Sequence, residues 1–313
     1  MEGDFLMSYA PLVIPSNKLL YGTVESVTWT EGFTRETGVK PGHCLSPVTD
    51  DGTDDYGVVR SNGLLPVIGI CGYEQSYLAN PAAPLDYGSM RPISPITAFG
   101  EDLPIPILQG GNTFPMMWLT RGTYAKQGVT LFSWGGGEVI PGFIGSKGIT
   151  VMVPFTKKTT EFDTAVLIPK GIRITGAGVL VTTNASGATI DVGVLSSLSG
   201  GDADGFLKAA SLTNLGFVDP VVQAAAAASF TAGAYIVGAA IESADTTPIY
   251  FAMVNPYTIP NDTMRLSYTT SDHTVEGYIL LSVEGEGIIP VARCQQTIDA
   301  TVEVTRVPVL ALI

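Results

Sequence analysis

Few residues in this chain could do chemistry. The densest group is the "DADG" run at 202–205, inside "GATIDVGVLSSLSGGDADGFL" (187–207). Two aspartates one residue apart open a calcium loop, in which oxygens at positions one, three, five and twelve surround the cation and a glycine at six makes the turn. Counted from Asp202, position five is Phe206, position six is Leu207 and position twelve is Thr213, so the pattern breaks off after Asp204. Two readings stay open for Asp202 and Asp204: a loose calcium site completed by irregular loop oxygens, or a solvated loop following a strand. The "DDGTDD" run (50–55) is richer in carboxylates, and it reads as a charged turn that keeps a sheet edge soluble.

The other reactive types do not assemble. Cys44, Cys71 and Cys294 are far apart and form no C-x-x-C. They are expected to behave as small apolar residues, with a reducing compartment the simpler setting. A cysteine nucleophile wants a histidine, and only His43 and His273 exist. His43 adjoins Cys44, but neighbours on an extended chain point to opposite faces. There is no G-x-S-x-G elbow and no H-E-x-x-H. "TGAGVL" (175–180) lacks the strand–glycine–helix setting of a nucleotide site, and "WGGGE" (134–138) reads as a tight turn. The expectation is therefore a chain that is not an enzyme and holds no metal or cofactor.

Charge narrows the partners. The net charge is −13, and eight lysines and eight arginines are scattered with Lys157–Lys158 as the one basic pair. Nucleic-acid binding needs a basic face to neutralise phosphates, so that partner is not expected. The start, "MEGDFLMSYAPLVIPSNKLL", lacks a basic n-region and a small-residue cleavage site, unlike a signal peptide. Residues 220–241 run for 22 positions without a charge, long enough to cross a bilayer. Their Ala/Gly/Ser/Thr composition and the acidic flanks Asp219 and Glu242 favour a buried segment of a soluble core over a membrane span.

Thirty-six glycines and 21 prolines point to many turns and few helices. Residues 1–17 read as an extended arm, because Pro11 and Pro15 block helix in an apolar run. Its Phe5, Leu6, Met7, Tyr9, Leu12, Val13 and Ile14 are candidate contacts with a neighbouring molecule. Residues 18–155 break into short β-rich runs at 21–29, 66–73, 114–119, 128–134 and 148–155, a spacing that suggests a small barrel or sandwich. The polar stretch 155–165 is the expected linker to a second unit, 156–313. There, 171–183 places Ile172 and Ile174 on one face, and 188–195 places Ile190, Val192 and Val194 on one face. Residues 276–285 and 301–313 continue as strands. Val302 and Val304 are out of phase with Val307 and Val309, which predicts a bulge near Thr305–Arg306. Asp219–Pro220 is a start signal for a short helix over 221–229. The fold class expected is all-β: an arm, an N-terminal β-barrel and a C-terminal antiparallel β-sandwich.

The second unit resembles the β-sandwich of tailed-bacteriophage structural proteins, on "LIPKGIRITGAGVLVTTNASGATIDVG" (167–193), "SGGDADGFL" (199–207) and "GYILLSV" (277–283). The first unit is similar to phage capsid decoration proteins with a small β-barrel, on "GVKPGHCL" (38–45), "PVIGI" (66–70), "DLPIPILQGGN" (102–112) and "AKQGVTLFSWGGGEV" (125–139). The Ala-rich run 224–228 and the apolar arm depart from that pattern. The resemblance implies a cement protein made in the host cytoplasm and carried on the outer capsid surface of the virion. It further implies a homotrimer that bridges subunits of the major capsid protein, with the arm among its contacts. A head-fibre or tail adhesin that binds glycan through Tyr73, Tyr77 or Tyr87 is the alternative.

Overall fold

The computed structural model describes residues 28–48, 57–72, 98, 104–109, 115–145, 148–218, 231–232, 238–241, 250–253 and 257–313. The described chain is all-β, with strands, turns and a 3-10 turn at Gly135–Gly137. The helix expected over 221–229 falls outside the described residues. No helix among the described residues is long and apolar enough to cross a membrane.

A first barrel closes in the order β1 (Thr28–Thr34), β3 (Gly57–Arg60), β2 (Cys44–Pro47), β4 (Gly69–Cys71) and β5 (Pro104–Gln109), with β5 pairing back onto β1. A second ring is made by β6 (Met116–Leu119), β24 (Thr305–Ala311), β22 (Pro290–Cys294), β8 (Thr130–Ser133) and β9 (Val139–Gly145). It closes because β8 and β6 both pair with β9. β7 (Thr123–Ala125) and β23 (Ile298–Ala300) form a two-stranded ribbon beside it. The last 24 residues thus pair with strands from 116–145 and not with the sandwich that precedes them. The bulge expected near Thr305–Arg306 is absent. β24 runs in unbroken register with β6, and Val302 and Val304 lie in the turn before it, exposed. Their phase differs from that of Val307 and Val309 because they belong to no strand.

The sandwich has eight principal strands: β10 (Gly148–Thr156), β11 (Phe162–Leu167), β12 (Arg173–Thr183), β13 (Thr189–Val194), β14 (Asp202–Ser211), β15 (Gly216–Val218), β20 (Arg265–Thr270) and β21 (Glu276–Glu284). One sheet runs β15-β12-β21-β10 and the facing one β11-β20-β13-β14. Numbered one to eight along the chain, these orders are 6-3-8-1 and 2-7-4-5, the double Greek key of a jelly roll. Short strands β16 (Thr231–Ala232), β17 (Gly238–Ile241), β18 (Tyr250–Met253) and β19 (Tyr257–Thr258) lie between β15 and β20 in the chain; β16 extends the second sheet. The polar stretch 155–165 is the β10–β11 connection inside this sandwich, since β10 pairs along its length with β21. Alternation sets the core. Ile190, Val192 and Val194 from one sheet meet Val179, Val181, Ile279 and Leu281 from the other, all buried.

Period two also welds the three bodies together. On β2, Leu45 points into the first barrel, while Cys44 enters the core of the second ring. On β4 and β5 the same division separates Cys71 from Ile70 and Ile107 from Leu108. One ring further on, Leu131 and Val139 fill the second core, while Phe132 and Ile140 fill the sandwich core. Close approach at the first junction requires glycine. Gly42 has φ +94°, and a Cβ there would sit 2.2 Å from the Met116 carbonyl oxygen. The Trp118 indole N–H donates to the Pro41 carbonyl at 2.9 Å, and the Gly137 N–H donates to Ser61 at 2.8 Å.

Two titratable groups are trapped at this junction. Burial pushes the Glu138 carboxyl up to about 7, against the pull of Arg60 and Lys40. Burial pulls the His43 imidazole down to about 3, and the charges of Arg60 and Lys40 add to the effect. Neutral His43 accepts the Lys40 backbone N–H at Nδ1, 3.1 Å away. Folded Glu138 holds a proton that the unfolded chain releases above its ordinary 4.5, so this contribution to stability is lost as pH rises through 7. His43 acts oppositely: the unfolded chain takes a proton below 6.5 that the folded chain refuses until about 3, so stability rises with pH across that window. Between about pH 4.5 and 6.5 the two slopes oppose each other. In urea titrations, the stability of Glu138→Gln relative to the parent should therefore grow by up to about 1.4 kcal/mol per pH unit from pH 5 to 7. A difference that stays constant with pH would contradict the half-buried, protonated carboxyl.

Candidate docking surface

The outward face of the β15-β12-β21-β10 sheet is not the polar face that a half-solvated antiparallel sheet presents. On β21, Ile279, Leu281 and Val283 enter the core, so Tyr278, Leu280 and Ser282 point out. Leu280 and Ser282 are nonetheless buried, as is Thr150 on β10. They line a groove of about 410 Å³ together with Gly176, Gly178 and Leu180, with Phe143 of β9 and Phe217 of β15 also at its walls. Without Cβ atoms, Gly176 and Gly178 leave the floor low. A Cβ on Gly178 would come within 3.4 Å of the Phe217 ring, so that ring leans over the glycine.

The polar atoms of the floor are satisfied among themselves. Thr150 Oγ1 and Ser282 Oγ lie 3.2 Å apart as a hydrogen-bonded cross-strand pair. None of the groove-lining residues among those described is charged. At one end the sheet carries the Arg173–Glu284 ion pair, 3.1 Å between nitrogen and oxygen. The two phenylalanine walls are open to solvent: Phe217 is 60% exposed and Phe143 41%. Two exposed phenylalanines walling one groove make an apolar surface of the kind that marks an interaction site, in contrast to scattered surface leucines.

The aspartates of the sequence motif lie elsewhere. Asp202 and Asp204 open β14 and sit within the strand, not in the preceding loop. The Lys208 ammonium is 2.8 Å from Asp204 and holds that carboxyl below its ordinary range, while Asp202 is raised by its hydrogen bond with Asp204. Among the described residues no group of three or more His, Cys, Asp or Glu side chains could hold a metal. Cys44, Cys71 and Cys294 are free and buried, and burial pushes the Cys44 thiol up to about 12. His43 faces Trp118, with ring centroids 6.0 Å apart. The arm residues Phe5, Leu6, Met7, Tyr9, Leu12, Val13 and Ile14 lie outside the described residues, as do Tyr73, Tyr77, Tyr87 and the "DDGTDD" run.

Sequence reasoning did not find the groove, although a signal was present. "YILL" (278–281) is a continuous apolar run where a half-solvated strand would alternate, and continuous runs belong to strands covered on both faces. Comparison of the chain with known protein-family models, with curated proteins and with solved structures finds no match.

If the rim serves docking and not folding, its removal should be nearly silent for stability. Phe143→Ser and Phe217→Ser should each shift the unfolding free energy by no more than about 0.5 kcal/mol, whereas Leu281→Ala on the opposite face of the same sheet should cost about 2–5 kcal/mol. Urea denaturation of the three variants checks this. A rim variant as costly as Leu281→Ala would assign the patch to the fold.

Proposed function

We propose that the chain is a structural protein of a tailed-bacteriophage virion, bound to the outer capsid surface as a homotrimer and bridging subunits of the major capsid protein. Jelly rolls carry capsid, lectin and enzyme roles alike, so the reading leans on surface chemistry more than on fold. The observation that carries it is the groove whose described lining is uncharged, with Phe143 and Phe217 exposed at its walls. Such a surface gains by covering apolar area on a larger body. A partner reached through area and shape also suits a chain of net charge −13, which long-range attraction would not bring to nucleic acid. Three copies engaging at once would raise apparent affinity by roughly 10² to 10⁴ over one copy. The junctions built by shared cores suit the load: outward pressure on a capsid would have to open packed sheets before the protein gave way.

Electron-microscopic reconstruction of particles of the phage that encodes the chain, with mass spectrometry of their proteins, tests the proposal. The expected result is three-fold density over the junctions between capsid subunits, fitted by barrel and jelly roll. Particles that lack the chain, or carry it only on the tail, would overturn it.

A further inference from the structure

We propose that the groove on the β15-β12-β21-β10 face is the seat of the chain's own N-terminal segment, residues 9–14, laid across the strands in extended form. The inference does not depend on attachment to a capsid.

Dimensions support it first. From Phe143 on β9 to Phe217 on β15 the groove crosses β10, β21 and β12. Four inter-strand spacings of about 4.8 Å make a span of about 19 Å. An extended or polyproline-type segment rises about 3.1–3.3 Å per residue, so roughly six residues fill that span. Chemistry supports it second. The groove offers aromatic walls, a glycine floor and, among the described residues, no charged lining side chain, with its hydroxyls already paired to each other. Residues 5–17, "FLMSYAPLVIPSN", carry no charge, and "YAPLVI" (9–14) supplies an aromatic, a proline and three aliphatic side chains. Pro11 fixes its own φ and biases Ala10 toward extended backbone, which lowers the entropy lost on docking, as in aromatic grooves that take proline-rich strands.

Reach supports it third. Thirteen residues lie between Ile14 and Thr28, where β1 begins, so fourteen residue steps join them. Fully extended they reach about 46–50 Å. A compact chain of this length has a radius of gyration of about 20 Å, so that reach matches the width of the molecule. Docking the segment would cover Leu180 and the inner edges of Phe143 and Phe217. The candidate contacts Tyr9, Leu12, Val13 and Ile14 would then serve this protein's own surface, and the outer edges of Phe143 and Phe217 would stay open to a capsid subunit.

Disulfide trapping in the full chain tests it. The native thiols of Cys44, Cys71 and Cys294 are buried, leaving introduced cysteines as the reactive ones. One variant joins Leu12→Cys to Phe217→Cys, and the control joins Leu12→Cys to Val302→Cys, at a site 77% exposed in the turn before β24. Under mild oxidant, the Phe217 pair is expected to link in most chains and the Val302 pair in few. Non-reducing electrophoresis should show the linked product as a monomer; a linked dimer would put a second copy's arm in the groove and overturn the proposal. In parallel, Leu12→Asp/Val13→Asp should vacate the groove and raise the fluorescence of a hydrophobic dye. Equal or absent linking in the two pairs, or dye fluorescence unchanged by the acidic arm, overturns the proposal.

Discussion

The structure depends on strands that bury both of their faces. An ordinary antiparallel strand commits one face to a core and leaves the other to water. Here β2, β4 and β5 line the first barrel with Leu45, Cys71 and Ile107 and wall the second ring with Cys44, Ile70 and Leu108. β8 and β9 repeat the device between the second ring and the jelly roll, through Leu131 and Val139 on one side and Phe132 and Ile140 on the other. Because successive side chains point oppositely, a one-residue slip in any of these strands would exchange the contents of two cores at once. Register is therefore specified twice over.

This constraint explains features that would otherwise look unrelated. Gly42 must be glycine because the barrels touch backbone to backbone at Met116. Gly122, with φ +85°, meets the Thr164 carbonyl in the same way where the second ring reaches β11. Trp134 is buried beside the 3-10 turn and donates its indole N–H to the Leu167 carbonyl at 2.8 Å, tying that turn to the jelly roll. Glu138 is drawn into the first junction by the same turn, and the low polarity there keeps its proton on near neutral pH. The outer face of the β15-β12-β21-β10 sheet extends the logic to a surface where the described residues supply no second layer. Its floor is buried and apolar like a core, and only its rim meets water.

Much of this was legible in the sequence. Glycine and proline punctuation and the alternation at 171–183 and 188–195 give the strands, and Ile172, Ile174, Ile190, Val192 and Val194 are buried as that alternation requires. Less legible was which strands pair over long separations. Residues 290–313 follow the jelly roll in the chain yet complete the ring of β6, β8 and β9, and no local pattern encodes a partner about 170 residues away. The polar 155–165 stretch looked like a boundary because a turn between two sandwich strands has the same composition as a linker. Val302 and Val304 suggested a strand with a bulge because periodicity cannot distinguish a slipped strand from a turn with exposed valines. The groove escaped notice because it is made by what is absent, the side chains of Gly176 and Gly178, flanked by phenylalanines from strands distant in sequence.

Native-state hydrogen exchange across a urea series tests the shared-core claim most directly, because it reads opening free energies strand by strand. Amides of β2 in the first barrel, β8 in the second ring and β13 in the jelly roll should converge on one opening isotherm as urea rises, since no body can open without stripping a wall from its neighbour. Opening of β2 at a free energy well below that of β13 at every urea concentration would show three bodies merely strung together, and would contradict the account.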